Sequence, residues 1–277
     1  MTTHNPKTIY LSDYTVPDFI IHSVNLHFSL HENITQVLST LTLERHVASQ
    51  HHHQNIVLHG EKLTLKRVVL NDIELTSNDY VQTSETLTLL NVPQTGAFTV
   101  IIENTINPSE NTALEGLYLS NGMLCTQCEA EGFRKITYFL DRPDVMTTFT
   151  TTLVADKQRY PVLLSNGNKV ASGEFENNQH WVTWHDPFSK PCYLFALVAG
   201  DLECVSDTFM TQSGRQIALE IFVEAHDKDK CDHAMQSLKY AMRWDEAVYG
   251  REYDLDLYMI VAVSHFNMGA MENKGLN

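Results

Sequence analysis

Between about Thr15 and Leu90 the apolar residues recur at every second position, and this rhythm limits what the chain can become. Val24, Leu26, Phe28 and Leu30 alternate with Asn25, His27 and Ser29. After a polar break at His31-Glu32-Asn33, Val37, Leu41 and Leu43 resume the pattern. The pairs Leu63 and Leu65, Ile73 and Leu75, and Leu87 and Leu89 repeat it, with turn chemistry between them at Asn71-Asp72 and Ser77-Asn78-Asp79. Successive side chains of an extended chain point to opposite faces, so this spacing collects the apolar groups on one face. Short strands of this kind predict antiparallel sheets, one face buried and the other wet. Phe98, Val100 and Ile102 add a further strand.

The middle of the chain continues in the same mode. Leu117 to Leu119, a turn at Ser120-Asn121-Gly122, and Met123 to Cys125 read as a hairpin. Phe149 to Val154 and Tyr160 to Leu164 read as strands, followed by a tight turn at Ser165-Asn166-Gly167-Asn168, from which Val170 to Phe175 is expected to pair back. His180 to His185 is strand-like, and its two tryptophans are expected to pack. Pro187 to Pro191 is expected to break the strand, and the apolar run Tyr193 to Ala199 fits a buried strand. Gly200-Asp201 is the expected domain boundary, giving an all-β domain over 1–200 and an α/β segment over 201–277. In that segment Ile217, Leu219, Ile221 and Val223 alternate. Met235, Leu238, Ala241, Met242 and Val248 then recur at helical spacing, between Asp229 as N-cap and Gly250 as stop. Leu255, Leu257, Met259, Val261 and Val263 form one more strand.

Two stretches carry chemistry. The first is Gln127-Cys128-Glu129-Ala130-Glu131-Gly132-Phe133-Arg134. If extended, it puts Gln127, Glu129 and Glu131 on one side, where two carboxylates and an amide could bind an ammonium group. On chemistry alone the alternative stays open that this is a solvated loop whose charges offset Arg134 and Lys135. The second stretch is Met268-Gly269-Ala270-Met271-Glu272-Asn273-Lys274-Gly275-Leu276-Asn277. Gly269 frees the backbone for close approach of a second chain, and Glu272 is a lone carboxylate among small and amide residues. An edge strand followed by such a loop can hold a peptide by main-chain bonds and read its end with one charge.

Other features are weaker. Cys125 and Cys128 have CxxC spacing, but no second pair lies near them, and the five cysteines read as reduced and structural. His51-His52-His53 reads as a solvated loop tip, since three adjacent histidines point in different directions. The chain has 277 residues and a formal net charge of −15, from 34 acidic against 19 basic residues. That balance argues against a nucleic-acid partner, whose phosphates it would repel. No run of about 20 apolar residues is present to span a bilayer, and the polar N-terminus lacks a signal-peptide core. The expectation is a soluble cytoplasmic protein without a membrane partner.

Gly269-Ala270-Met271-Glu272-Asn273 resembles the exopeptidase motif of the M1 zinc aminopeptidases. The longer stretch Asn267 to Asn277, with the segment around Gln127 and Glu129 and its continuation Ile136 to Val145, is similar to the bacterial aminopeptidase N branch. The resemblance implies a mainly β fold: an antiparallel, saddle- or sandwich-like N-terminal domain, then the start of a thermolysin-like catalytic domain. It implies release of N-terminal amino acids from peptides by a monomer carrying one Zn2+. Gln127, Glu129 and Glu272 are implied to bind the substrate's free amino group, with Glu131 not carried over. Gly269 and Ala270 would align the peptide, Met268 would line the pocket for its first side chain, and Met271 and Asn273 are implied to belong to the same substrate-binding loop and site, Asn273 more as its support. The zinc-binding His-Glu-x-x-His of the family does not occur here. The expectation is therefore an N-terminal fragment, inactive alone, with the zinc ligands beyond Asn277. A relative that also opens epoxides is the nearest alternative, disfavoured by Ala270. A non-catalytic β-sandwich binding module and a pseudo-enzyme are the others.

Overall fold

The structure, a computed structural model, describes residues 8, 10–49 and 53–277. His51 and His52 lie outside the described residues, whereas His53 is exposed and its Nδ1 lies 2.7 Å from the Asp18 carboxylate. The first part of the chain runs β1 (Phe19–Ser29), β2 (Thr35–Arg45), β3 (Ile56–His59), β4 (Thr64–Leu70), β5 (Ile73–Glu74), β6 (Tyr80–Gln82), β7 (Thr86–Leu89) and β8 (Phe98–Ile106). The middle runs β9 (Gly116–Ser120), β10 (Met123–Gln127), β11 (Thr147–Asp156), β12 (Val162–Ser165), β13 (Asn168–Glu174), β14 (Gln179–Lys190) and β15 (Leu197–Gly200). The last part contains β16 (Glu203–Met210), β17 (Gln216–Val223), helix α1 (Cys231–Tyr249) and β18 (Leu257–Val261).

An eight-stranded sheet in the order β13-β14-β11-β1-β2-β8-β4-β5 forms the large face. A four-stranded sheet β12-β15-β10-β9 and a small sheet β3-β7-β6 complete the β region. β8 is buried at every second residue along its whole length, as the alternation of its sequence requires. One pairing departs from the antiparallel expectation: β1 and β11 are parallel, Ser23 facing Thr148. More than a hundred residues separate the two strands in sequence, and a parallel pair needs such a long crossover. Phe133, Phe139, Phe149 and Phe195 meet at the centre of the main core, with ring centroids 4.9 to 6.5 Å apart and mostly edge-to-face.

The Asn121-Gly122 hairpin forms as read, both residues at positive φ (48° and 85°), which suits a two-residue turn. The turn at Ser165–Asn168 does not close a hairpin. β12 pairs with β15, and β13 pairs with β14, so the chain changes sheets there. Gly167 makes the change possible: φ is +90°, and an added Cβ would lie 2.2 Å from the His185 carbonyl oxygen. The predicted break at Pro187 is a bulge instead. β14 continues to Lys190 while its register against β11 jumps from Phe149–Asp186 to Thr147–Lys190. A bulge leaves Pro187 without a ladder bond to donate. Of the run Tyr193 to Ala199, a 3-10 turn takes Cys192–Leu194 before the fully buried β15 begins. Trp184 is buried and donates to the Leu163 carbonyl at 3.2 Å, while Trp181 packs over Gly173. All five cysteines are free thiols.

The last part is a strand–helix–strand unit, with β17 and β18 parallel and α1 between them in sequence. Gly250 ends the helix in the left-handed conformation, its amide donating to the Glu246 carbonyl. Asp229 is not the N-cap. It lies in a 3-10 turn, Ala225–Lys230, that runs on into α1 with helical backbone at Lys230, so no cap is needed there. Met235, Leu238 and Met242 fill the core as expected, but Ala241 and Val248 face outward and Glu246 occupies the next inward position. The carboxylate of Glu246 takes a hydrogen bond from the Gln212 amide at 3.4 Å. Among the described residues no helix is long and apolar enough to cross a membrane.

Phe133 touches three other rings and is fully buried. Phe133→Ala is expected to lower unfolding stability by about 3–5 kcal/mol, read as a shifted midpoint in urea denaturation.

Candidate functional site

After Val261 the chain leaves the sheet, runs without regular structure to Lys274, and then comes back to β18. The Met259 amide donates to the Gly275 carbonyl at 3.0 Å, the Asn277 amide to Met259 at 2.9 Å, and the Val261 amide to Asn277 at 2.8 Å. This corrects the expectation of an edge strand free to hold a peptide. At Met259 and Val261 that edge is filled by residues 275–277; the backbone groups of the buried Met259 in particular have to be paired. Gly275 fits there at φ +78°, where an added Cβ would meet Leu255 Cδ1 at 2.8 Å.

The intervening loop is tied to the β region. Tyr118 Oη donates to the His265 carbonyl (3.2 Å), and the His265 amide donates to Ser120 Oγ (3.2 Å). Asn267 donates to the Leu114 carbonyl (3.1 Å), and Asn166 to the Lys274 carbonyl (2.9 Å). Between these ties Met268, Gly269 and Ala270 are exposed. Among the described residues Gly269 and Ala270 make no backbone–backbone hydrogen bond. No described residue lies within 4 Å of the place a Gly269 Cβ would take, so its bareness serves no packing among the described residues.

Met271 and Asn273 turn inward and are buried. With Met268, Gly269 and Ala270 they line a cavity of about 570 Å³. Its other walls come from β10, β15 and β18, and include Cys125, Thr126 and Tyr258, which the sequence reading did not assign to the site. The period of two already placed Cys125 on the same face as Gln127. Burial pushes the Cys125 thiol up to about 12, so it stands in the wall as a protonated, apolar group. Cys128 packs in the main core instead, which separates the two halves of the CxxC.

Gln127 does not line the cavity but touches it from behind: its amide nitrogen lies 3.6 Å from Met271 Sδ. Gln127 Oε1 and Asn273 Oδ1 are buried without a hydrogen-bond partner. The stretch after Gln127 is not extended. Residues 129–132 form a turn closed by the Gly132 amide on the Cys128 carbonyl at 2.8 Å, and a Cβ on Gly132 would lie 2.5 Å from Gln127 O. Glu131 therefore leaves the side of Glu129 and pairs with Arg134 at 3.2 Å. Arg134 in turn donates to the buried Asp141 through Nε at 2.9 Å and through its backbone amide at 3.0 Å.

Glu129, half-buried, and Glu272, exposed, differ from their neighbours. Glu131 has Arg134, Glu115 has Lys135, and Asp254 has Lys274. Among the described residues neither Glu129 nor Glu272 has an ion pair or hydrogen bond to its side chain, and neither lines the cavity. No group of three or more His, Cys, Asp or Glu side chains among the described residues is placed to hold a metal ion.

A family model described as the Peptidase M1 N-terminal domain matches residues 20–194, and one described as the Peptidase family M1 domain matches residues 233–277. The chain belongs to peptidase family M1. This M1 chain is closely related to bacterial aminopeptidase N. It is 54% identical over 275 residues to Aminopeptidase N of Escherichia coli, a match covering 99% of this chain and 31% of the relative. It is 48% identical over its whole length to Aminopeptidase N of Caulobacter vibrioides, again 31% of that protein. The M1 chain thus spans about a third of the length of these curated relatives. Its fold superposes with a TM-score of 0.92 and 38% identity on a crystal structure of Legionella pneumophila aminopeptidase A in complex with aspartic acid, covering 96% of this chain and 31% of that one. An M1 zinc metallopeptidase from Deinococcus radiodurans, solved with a Tyr-Ser-Ala substrate, matches at TM-score 0.77 and 16% identity over 94% of this chain and 60% of that one, which shows the shared fold. The mainly β region followed by an α/β segment is the architecture of the M1 family, whose catalytic domain is thermolysin-like.

Under the end of the loop lies a buried ion pair. Lys190 Nζ is 3.0 Å from Asp186 and 3.9 Å from the centre of the Phe149 ring, and both charged residues are buried. Burial lowers the Lys190 ammonium to about 8, more than the attraction of Asp186 raises it. The folded value lies below the unfolded 10.5, so between pH 8 and 10.5 the unfolded chain binds the extra proton. Stability from this group accordingly rises with pH across that window. Lys190→Met alone is expected to cost about 3–5 kcal/mol, because Asp186 is left buried and unpaired, and Lys190→Met with Asp186→Leu should recover most of it. Denaturant melts from pH 8 to 10.5 should show the wild type gaining on the double variant as pH rises.

Proposed function

We propose that this chain is the amino-end-recognising part of a zinc-dependent aminopeptidase that releases N-terminal residues from peptides. The observation that carries this reading is the pair of carboxylates without a partner among the described residues, Glu129 and Glu272, on two segments that meet where Gln127 touches Met271. In a chain where neighbouring carboxylates have found cations, these two are left for a charge from outside. A substrate's α-ammonium is such a charge, with Gln127 Oε1 as a further acceptor. An internal peptide nitrogen carries no charge and would leave the carboxylates unpaired, which confines cleavage to the first residue.

In this reading Gly269 and Ala270, whose backbone groups have no backbone partner among the described residues, align the peptide as an added strand. Met268 lines the pocket for the first side chain, and a flexible thioether suits broad specificity. Met271 and Asn273, both buried, form the inner wall of the cavity and hold the loop from which the substrate is bound. Zinc, when bound, supplies carbonyl polarisation and an acidified water. No set of described residues here fits that ion, so its ligands are proposed to lie outside this chain, and no step is drawn through it. The same reading places the domain boundary at residues 200 and 201, where β15 hands over to β16. It also has the protein act as a cytoplasmic monomer on peptides with a free amine and, given its acidic balance, not on nucleic acid.

Glu272→Ala in the natural gene product carrying this sequence is expected to lower kcat/KM on an amino-acid arylamide by about two orders of magnitude, with zinc content unchanged. Near-normal turnover would remove Glu272 from the amine site. The 277-residue chain alone is expected to bind no stoichiometric zinc and to hydrolyse no arylamide. Zinc at one per chain in that preparation would contradict the placement of the ligands elsewhere.

A further inference from the structure

The turn Ser165–Asn168, which moves the chain between two sheets, also grips the recognition loop. Asn166 is 3% exposed. Its amide nitrogen donates to the Leu194 carbonyl at 3.0 Å and to the Lys274 carbonyl at 2.9 Å, while its oxygen accepts from the Ala196 amide at 2.7 Å. Two residues on, Asn168 and Asp256 exchange two hydrogen bonds of 3.1 Å, side chain to side chain and side chain to amide. Gly167 sits between them with its amide 3.2 Å from the place a Gly275 Cβ would occupy. A single turn therefore holds both ends of the segment that carries β18 and the loop: the entry at Asp256 and the exit at Lys274.

The same turn is fixed to the strand that reaches Gln127. Asn166 bonds Leu194 and Ala196 just ahead of β15, and β15 pairs with β10 through Ala199–Leu124 and Val198–Cys125. β10 ends at Gln127, two residues before Glu129. Buried amide hydrogen bonds are stiff because breaking one leaves a donor or acceptor without water. The path from Gln127 through β10, β15 and Asn166 to Lys274 thus stands two residues from Glu129 at one end and two from Glu272 at the other.

We propose that Asn166 is a positioning residue for recognition of the substrate's free amine, setting the span between the Gln127–Glu129 segment and Glu272. This role rests on the amine-binding reading given above. Asn166 touches no substrate. Asn166→Asp is close to isosteric and keeps the acceptor for Ala196, but it removes both N–H donors and sets an oxygen against two carbonyls. Asn168→Ala loosens only the entry end and is partly exposed, so it provides a variant that folds if the first does not.

The test uses the natural gene product with its zinc bound. KM and kcat are measured on an amino-acid arylamide. Inhibition constants are measured for two zinc-binding hydroxamates that differ only in having or lacking an α-amine. Amide exchange is followed at Met259, Val261 and Asn277. For Asn166→Asp the expected result is a roughly tenfold or greater rise in KM and in the inhibition constant of the amine-bearing ligand. The amine-free ligand, the zinc content and kcat should change much less. The three amides, which close the loop onto β18, should exchange faster while Leu124 stays protected. Asn168→Ala should shift the same quantities in the same direction by a smaller factor. Equal weakening of both hydroxamates would mean a merely structural residue and would overturn the proposal, as would unchanged constants in both variants. A wild type that shows no preference for the amine-bearing ligand would overturn the amine-binding reading itself, whatever the amides of the variants do.

Discussion

The amide and carbonyl of Met259 have to be paired, because the residue is wholly buried. Gly275 and Asn277 are what pair them. That requirement closes the segment from Ala262 to Lys274 into a loop of fixed ends and keeps Met271 and Asn273 inside it. It also explains why residue 275 is glycine: the strand is reached at positive φ with Leu255 already in the way of a side chain. The cavity, the inward thioether and the contact with Gln127 all follow from the chain returning to its own strand.

Much of the fold was legible because alternation is a direct imprint of a sheet with one buried face. β2 and β8, whose residues pair from Thr35–Ile106 to Leu43–Phe98, are read from the period of two alone. So is the hairpin at Asn121-Gly122, where two residues at positive φ leave few choices. The helix was legible at its glycine end and not at its start, since a 3-10 turn carries helical backbone past Asp229 without a cap. Pairing partners were less legible than strands. Nothing local in Ser165-Asn166-Gly167-Asn168 distinguishes a hairpin from a change of sheet, because the decision lies with Leu194, Ala196 and His185, far along the chain.

The candidate site shows the same division. Its loop could be read as a unit, because five neighbouring residues carry it. The conformation after Gln127 could not, since Gly132 folds back on Gln127 and Phe133 is drawn into a core that no short stretch reveals. The walls contributed by Cys125, Thr126 and Tyr258 depend on how two sheets meet, which periodicity does not encode. Electrostatics sharpened what pattern left open. The chain carries 34 acidic residues, so an acidic side chain by itself says little; Glu131, Glu115 and Asp254 near the loop have cations, and among the described residues Glu129 and Glu272 have none.

The placement of Cys125 bears on how the cavity meets oxidants and electrophiles. Reaction at sulfur runs through the thiolate, and burial keeps this thiol protonated at neutral pH. Cys128, the one cysteine close in sequence, has its side chain in the other core. Cys125 is therefore a poor target for oxidants and electrophiles at neutral pH. Alkylating reagents would be consumed first at Cys204, the cysteine that is not buried.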